Sequence, residues 1–385
     1  MTAFTYFEPL IDGHCAFFAE LVTSGALRDP RISRVQLVTD PALVDRLGSL
    51  DSRIELTALP KASLFELREG GLLARGRAQW AEACRLGADT GGAVFLPFFD
   101  HAVVGAALAR GRGAGEARIS GIVFRPPNRH GLRPGLRSSF DTARRWATYA
   151  LARGPSLGRL FTFDEVAPVS CVGRLTGTLH FLPDAAPDVS LLAACRPIQR
   201  PDGRAVALLF GALTARKGLF EIVDAWARQS DDWLDGRVLR LVGLLGNEER
   251  PRFQATLENL STARPRALIE LHDQFVDDAT LAQEIVNADL ILAPYQNHVG
   301  SSGVVFWACA AGKPLLTQNT GLVGYQAQKY QLGRTVDCTD VASLSVALAE
   351  PWEILPADPS LMTRHSQQNV LHVLLDGMFG NGVAS

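Results

Sequence analysis

The most constraining feature of the sequence is a strand, a polar loop and a helix that follow one another between residues 289 and 314. The strand is the apolar run 289–293, and the loop ends in Ser301-Ser302-Gly303. The helix after the loop is apolar on every side, which predicts that it is buried, and Gly312 and Pro314 end it. A strand, loop and helix of this kind are typical of a parallel α/β sheet.

The loop before this helix predicts an anion site. The first turn of a helix carries unpaired N–H groups and the positive end of the helix dipole. The small residues Ser301, Ser302 and Gly303 would let a phosphate approach these groups closely, and His298 and Gly300 lie in the same loop. An ordinary turn capped by serine is the alternative interpretation.

Strands and helices alternate in both halves of the chain. Apolar runs predict strands at 4–11, 35–39, 93–97, 119–124 and 160–163, and again at 205–210, 239–242, 268–271 and 289–293. Four prolines in 182–201 mark the boundary between the halves. We predict an α/β fold of two Rossmann-like parallel-sheet domains facing across a cleft: residues 1–190, a linker 191–203, residues 204–360, and a C-terminal helix in 361–385 that packs back across the linker.

Composition excludes several classes of protein. The 385 residues carry a net charge of −2, which gives no general attraction to nucleic acid. The six cysteines are scattered without a Cys-x-x-Cys pair or a histidine cluster, so we expect no disulfide framework and no metal site. No run approaches the roughly 20 apolar residues of a membrane span, and we expect a cytoplasmic protein.

One segment of the first half is strongly basic. Residues 118–159 hold nine arginines and a single acid, Asp141, and aromatic residues lie among the arginines of 139–152. This pattern predicts contact of 133–153 with an anionic membrane surface or with a phosphorylated acceptor. Arginine outnumbers lysine 34 to 4 throughout the chain, so a solvated helix face is the alternative.

Polar residues follow the predicted strands of the first half. Gly13 and His14 lie just after the first strand, and Asp100 and His101 follow the strand 93–97. Strand ends of this kind border the ligand crevice of a parallel sheet. His14, Asp100 and His101 are therefore the candidates for a catalytic base in this half.

Two motifs of the second half resemble a known family. They are Gly211-Ala-Leu-Thr-Ala-Arg216-Lys217-Gly218 and, some ninety residues later, Ser-Ser-Gly-Val-Val-x-x-Ala-x-Ala-x-Gly-Lys-Pro. Together they resemble the nucleotide-sugar half of GT-B glycosyltransferases, most closely family four. The resemblance covers 204–350, and in the first half Gly13-His14 also fits it.

The resemblance implies a hexosyltransferase that moves a sugar from a nucleoside-diphosphate donor to an acceptor hydroxyl, with retention and without a metal or another cofactor. Residues 204–360 would hold the donor and 1–190 the acceptor, a glycan, lipid or small molecule. In such a protein Lys217 binds the diphosphate together with the backbone N–H groups of Ser301–Gly303. Gly211 begins the loop that holds Lys217, and Arg216 would supply a charge to the diphosphate from another angle. The main chain at Phe275 and Val276 holds the nucleobase.

The sequence departs from the family in one element. The two glutamates of the Glu-x7-Glu motif fall on Val299 and Trp307, and the arginine expected after Gly211 is Ala212. These changes leave a divergent donor mode or a non-catalytic scaffold for an active glycosyltransferase as alternatives, with an epimerase or phosphorylase ranked last. A core position is the simplest interpretation of Trp307, because its helix is otherwise apolar.

Overall fold

A computed structural model describes residues 2–11, 15–48, 50–125, 130, 136–353 and 360–380, with the backbone alone at 136–138. The chain forms two compact units. Unit 1 comprises Met1–Asn128, Arg133–Ala185 and Ser366–Ser385, and unit 2 comprises Arg129–Leu132 and Ala186–His365. The predicted linker 191–203 lies within unit 2.

Unit 1 contains a seven-stranded parallel sheet. Its strands are β1 Thr2–Glu8, β2 Ile32–Thr39, β3 Ile54–Ala58, β4 Ala93–Phe98, β5 Ile119–Val123, β6 Leu157–Thr162 and β7 Leu179–Phe181, in the order β3-β2-β1-β4-β5-β6-β7. Consecutive side chains of β1, Phe4 to Glu8, are all buried, as expected for a parallel strand covered on both faces. The order of the strands reverses between β1 and β4, so these two strand ends flank the crevice of this sheet.

Helices cover the sheet of unit 1. They are α1 Cys15–Ala26, α2 Pro41–Val44, α3 Lys61–Arg68, α4 Leu72–Thr90, α5 Phe99–Leu108, α6 Leu136–Ala152, α7 Val166–Val169 and α8 Cys171–Thr176. Helix α4 packs on α5, and α5 packs on α6, so these three helices form one layer on the sheet. Trp146 and Tyr149 of α6 are buried in that layer, so these two aromatic residues of the basic segment 139–152 do not face solvent.

Unit 2 contains a six-stranded parallel sheet. Its strands are β8 Ala205–Phe210, β9 Arg237–Val242, β10 Ile269–His272, β11 Leu290–Ala293, β12 Leu315–Gln318 and β13 Gly333–Val336, in the order β10-β9-β8-β11-β12-β13. Its helices are α9 Ser190–Ala194, α10 Leu219–Ala227, α11 Asp231–Asp235, α12 Arg250–Ala263, α13 Asp278–Asn287, α14 Val304–Ala310, α15 Gly321–Lys329, α16 Val341–Ala349 and α17 Ser360–Arg364. A 3-10 helix, Ala215–Lys217, follows β8.

The two parallel sheets confirm the predicted α/β class, and each predicted strand is present. Four strands were missed, namely β3, β7, β12 and β13. Three of them, β3, β7 and β13, are edge strands, and β12 lies next to an edge. The side chains of β13 are only half-buried, so this strand lacks the continuous apolar run that marks a central strand.

The last helix, α18 Gln367–Phe379, belongs to unit 1. It packs against α1 and β6, and Phe379 meets Phe4 edge to face. The shorter α17 packs against α14 of unit 2. Packing of 361–385 across the linker stays a prediction.

Candidate functional site

The candidate site of unit 2 lies where the strand order reverses, because β8 and β11 are hydrogen-bonded neighbours there. The turn after β8 runs from Gly211 to Gly218, and the loop after β11 runs from Pro294 to Gly303. Gly218 has φ 76°, and a Cβ atom on it would lie 2.0 Å from the carbonyl oxygen of Pro294. Only glycine allows the two loops to approach this closely.

Lys217 is held by residues of the β11 loop. Its Nζ donates a 2.5 Å hydrogen bond to Tyr295 Oη and lies 4.0 Å from the centre of that ring. Tyr295 Oη in turn lies 2.9 Å from Ser302 Oγ. The hydroxyl chain therefore fixes the ammonium group beside the residues that precede α14.

Arg216 is held by the same loop. Its Nη1 lies 3.2 Å from His298 Nδ1, and His298 Nε2 lies 3.1 Å from the carbonyl oxygen of Ser301. A neutral imidazole with its proton on Nε2 satisfies both contacts, because it donates to Ser301 and accepts from Arg216. The amide of Gln296 also donates to the Arg216 carbonyl.

Burial lowers the pKa of His298 to about 4, and the cations Lys217 and Arg216 act in the same direction against the Ser301 carbonyl. The imidazole is therefore neutral at pH 7. Neither Lys217 nor Arg216 forms an ion pair with any acidic residue in the described part of the chain. Two cations without an acidic partner among the described residues, beside the start of a helix, are suited to an anion.

Two glycines of this site face open space. A Cβ atom on Gly211 or on Gly303 would meet no atom of the protein within 4 Å. Gly211 needs to be glycine for its φ of 96°, but Gly303 has φ −57°, which any residue adopts. Packing does not account for Gly303, and its size leaves room for a group that approaches the start of α14.

The two residues predicted at the nucleobase follow β10. Phe275 is 81% exposed, whereas Val276 is half-buried against the core of unit 2. Asp273, two residues before Phe275, accepts a hydrogen bond from the backbone amide of Leu245 and forms an ion pair with Arg250. These contacts fix the loops after β9 and β10 to each other. The roles of Phe275 and Val276 at the nucleobase stay predictions.

The catalytic candidates lie in unit 1 where the structure describes them. Gly13 and His14 fall outside the described residues. The Asp100 carboxylate accepts hydrogen bonds from the amides of Phe124 and Arg125, at 2.9 and 3.0 Å, so it holds the turn after β5. Burial raises its pKa. Its part in catalysis stays a prediction.

His101 lies beside Asp100 in the first turn of α5. Its Nδ1 is buried and has no hydrogen-bond partner among the described residues. Burial lowers the pKa of this imidazole to about 4, and the nearby guanidinium groups of Arg75 and Arg125 act in the same direction. His101 is thus neutral at pH 7, and its predicted role as a base is not tested by its position.

Sequence reasoning missed three residues with unusual surroundings. Tyr295 links Lys217 to Ser302, and Thr214 Oγ1 is buried in the β8 turn without a described partner. Glu8 ends β1, is fully buried, and burial raises its pKa to about 8. Glu8 was missed because residues 4–11 were interpreted as one continuous apolar strand.

Within the described residues, no three His, Cys, Asp or Glu side chains lie close enough together to hold a metal ion. None of the helices in those ranges combines the length and the apolar character that crossing a bilayer requires.

Comparison with known proteins gives matches in shape alone. No protein-family model matches the sequence. No curated protein matches it either. An α,α-trehalose-phosphate synthase (UDP-forming) from Burkholderia vietnamiensis superimposes with a TM-score of 0.66 at 12% identity, covering 100% of this chain and 98% of that one.

Two further solved structures match over similar lengths. HepE of Anabaena, in complex with UDP, has a TM-score of 0.65 at 13% identity, covering 97% of this chain and 98% of its own. WaaG, a glycosyltransferase involved in lipopolysaccharide biosynthesis, has a TM-score of 0.60 at 16% identity, covering 99% and 100%. The fold is that of the GT-B glycosyltransferases.

Trp307 lies in the hydrophobic core of unit 2. Trp307 is 5% exposed and packs in the same core cluster as Val305 and Phe306. Its interpretation as a core residue is confirmed. Neither Val299 nor Trp307 supplies a carboxylate, so any donor that binds here contacts different polar groups.

Proposed function

We propose that unit 2 binds the diphosphate of a nucleoside-diphosphate sugar and that the protein transfers the sugar to a hydroxyl group of an acceptor. The observation that carries this proposal is the pair of fixed cations, Lys217 and Arg216, beside the start of α14. The GT-B fold supports it, and the UDP bound by HepE favours a uridine nucleotide.

The chemistry of the site fits a departing diphosphate. As the bond to the sugar breaks, negative charge grows on the phosphate oxygens. Preorganised cations therefore stabilise the transition state more than they stabilise the bound substrate. Lys217 is preorganised by Tyr295, and Arg216 by neutral His298. Since these groups supply the charge that a metal ion would supply, we propose transfer without a metal, and retention by resemblance to family four.

Acceptor activation belongs to unit 1 in this proposal. His14, Asp100 and His101 are the candidates for a base if the reaction inverts configuration. Phe275 and Val276 are proposed to hold the nucleobase through their main chain.

A second candidate function is donor binding without transfer, as part of a complex with an active glycosyltransferase. The observation that favours it is the absence of a carboxylate at Val299 and at buried Trp307. Both functions predict binding of a nucleoside diphosphate, and only the first predicts turnover.

The test has two stages. Thermal unfolding of the full chain is followed with UDP, GDP, ADP and the matching nucleosides, since a ligand at 100 times its dissociation constant adds about 2.7 kcal/mol to stability. Donor hydrolysis or transfer is then measured with the sugar form of the best nucleotide. Stabilisation with turnover supports the enzyme, stabilisation without it supports the binding protein, and no stabilisation by any diphosphate refutes both.

The buried position of Trp307 predicts weak recognition of the ribose. A carboxylate that bonded the ribose hydroxyls would discriminate against 2′-deoxyribose by about 1–3 kcal/mol. Since Trp307 lies in the core, we expect UDP and 2′-deoxy-UDP to bind with similar affinity in titration calorimetry. A ten-fold preference for UDP would show that another polar group holds the hydroxyls.

Contact with a membrane surface is proposed for the exposed side of α6. Phe140 and Leu151 are 73% and 58% exposed and lie about three helical turns apart, so they share one face with Arg144 between them. An exposed apolar stripe with a cation is suited to an anionic lipid surface.

We expect the double variant Phe140→Ser/Leu151→Ser to sediment less with vesicles that contain phosphatidylserine than the unchanged protein does. Leu108→Ser on α5, where Leu108 is 52% exposed, is the control. If the unchanged protein fails to sediment at low salt, the stripe is a solvated helix face.

A further inference from the structure

A cavity of about 390 Å³ lies within unit 1, at the ends of β4 and β5. Its wall is formed by α5 and α6 together with the residues that follow these strands. The lining includes Phe98, His101, Phe124, Arg125, Arg144 and Tyr149. Its volume is in the range of small-molecule sites.

Three of the lining side chains are cationic: Arg125, Arg144 and Arg145. Arg144 and Arg145 share the single carboxylate of Asp141, at 2.7 and 2.9 Å. The Arg125 guanidinium forms no hydrogen bond or ion pair with any residue in the described ranges. The cations of this cavity wall therefore exceed the acids that pair with them.

Asp100 also lines the cavity, but it forms no ion pair with Arg125. Its two oxygens accept hydrogen bonds from the amides of Phe124 and Arg125, which turns them towards the backbone of the β5 turn. Burial raises the pKa of this carboxyl group, against the weaker opposite effect of the Arg125 and Arg145 charges. The Arg125 guanidinium, which has no hydrogen-bond or ion-pair partner among the described residues, is thus available to an anion that enters the cavity.

Other side chains of the lining are apolar. Phe98 and Phe124 stack with ring centres 4.3 Å apart and planes 6° apart, and Leu10, Leu72, Val103 and Val104 also line the cavity. His101 lines the same cavity. It offers a neutral imidazole to a hydroxyl group, whereas a second charge would be desolvated there at high cost.

We propose that this cavity binds the acceptor and that the acceptor is a hydroxylated ring carrying a phosphate ester. The phosphate lies against Arg125 and Arg144, because a guanidinium group binds phosphate oxygens through two parallel hydrogen bonds. The ring lies against the apolar side chains. The assignment as acceptor rests on the proposed function, whereas the binding of the phosphate ester does not.

The test uses titration calorimetry on the full chain with glucose 6-phosphate, glucose and inorganic phosphate as probes. A second arm uses phosphatidylcholine vesicles with and without phosphatidylinositol, which presents a phosphate ester and a hydroxylated ring as a lipid headgroup. We expect a phosphate ester to bind in one of the two arms. Either glucose 6-phosphate binds about ten-fold or more tightly than glucose, or vesicles with phosphatidylinositol bind about ten-fold or more tightly than vesicles of phosphatidylcholine alone. Binding in the first arm identifies a free sugar phosphate, and binding in the second alone identifies a lipid.

Arg125→Gln is expected to weaken binding of the phosphate-bearing probe by about ten-fold. Thermal unfolding should be unchanged, since the Arg125 guanidinium has no partner among the described residues. Arg28→Gln, at an exposed arginine after α1, is the matched control. Unchanged affinity of Arg125→Gln, or failure of both arms, overturns the proposal. UDP binding is measured in the same samples. If a phosphate-bearing probe binds but UDP does not, the proposed function is refuted. If UDP binds but no phosphate ester does, only this inference is refuted.

Discussion

Lys217→Met is expected to weaken UDP binding by about ten- to a hundred-fold, equivalent to the 1.5–3 kcal/mol of a charged hydrogen bond. Methionine retains an apolar stem of similar length and removes the ammonium group that lies over the Tyr295 ring. Uridine should bind the variant and the unchanged protein equally, because it has no phosphate. Titration calorimetry of both ligands measures the effect.

The control for this substitution is Lys329→Met. Lys329 also lies over tyrosine rings of unit 2, at the last turn of α15, and so shares the chemical setting of Lys217 without its position after β8. If Lys217→Met binds UDP as tightly as the unchanged protein does, Lys217 is not part of a phosphate site. Tyr295→Phe should give a smaller loss, because the ammonium remains and only its fixed position is relaxed.

Glu8→Gln is expected to stabilise unit 1 increasingly as the pH rises from about 5 to 8. Burial raises the pKa of Glu8 to about 8 from its ordinary value of 4.5. Between these two values the folded protein keeps a proton on Glu8 that the unfolded chain loses. The stability that this proton provides is complete below about pH 4.5 and is lost as the pH rises towards 8. Each pH unit in this window costs the unchanged protein about 1.4 kcal/mol.

Over the window the variant should therefore gain on the order of 3–5 kcal/mol relative to the unchanged protein. Glutamine is neutral at every pH and can still accept from the Leu10 amide, as Glu8 Oε1 does at 2.8 Å. The histidines with lowered pKa values change stability in the opposite direction, and comparison of two proteins at each pH cancels their effect.

Hydrogen exchange of peptides from β1 is the appropriate measurement, because two units with separate cores can unfold separately. Glu66→Gln, at an exposed position of α3, is the control and should show no dependence on pH beyond that of the unchanged protein. A constant difference between Glu8→Gln and the unchanged protein from pH 5 to 8 would show that Glu8 is already ionised in the folded state.

The sequence by itself determined the α/β class and the central strands. Strands such as β8 and β11 are covered on both faces, and this burial requires a continuous apolar run that is visible without a structure. The sequence also determined that α14 is buried, because residues 304–309 leave no polar side for solvent. Ser301–Gly303 were predicted to bind phosphate because small residues precede the start of a helix, and Lys217 was predicted to do so through the resemblance to family four. Both roles stay predictions.

Only the tertiary structure decided which of these residues meet. Tyr295 lies between Lys217 and Ser302, and His298 lies between Arg216 and Ser301, because the hydrogen-bonded neighbours β8 and β11 end side by side. Contacts between residues about 80 positions apart depend on strand order, and no local pattern encodes strand order.

Burial of single side chains was also decided by the tertiary structure. Trp146 and Tyr149 have the same spacing in an exposed helix as in a packed one, and only the neighbouring α5 buries them. Glu8 continues an apolar strand and carries a raised pKa because α1, β2 and the rest of the sheet exclude water from it. A pKa of this kind is a property of the surrounding solvent and charges, which the order of residues along the chain does not contain.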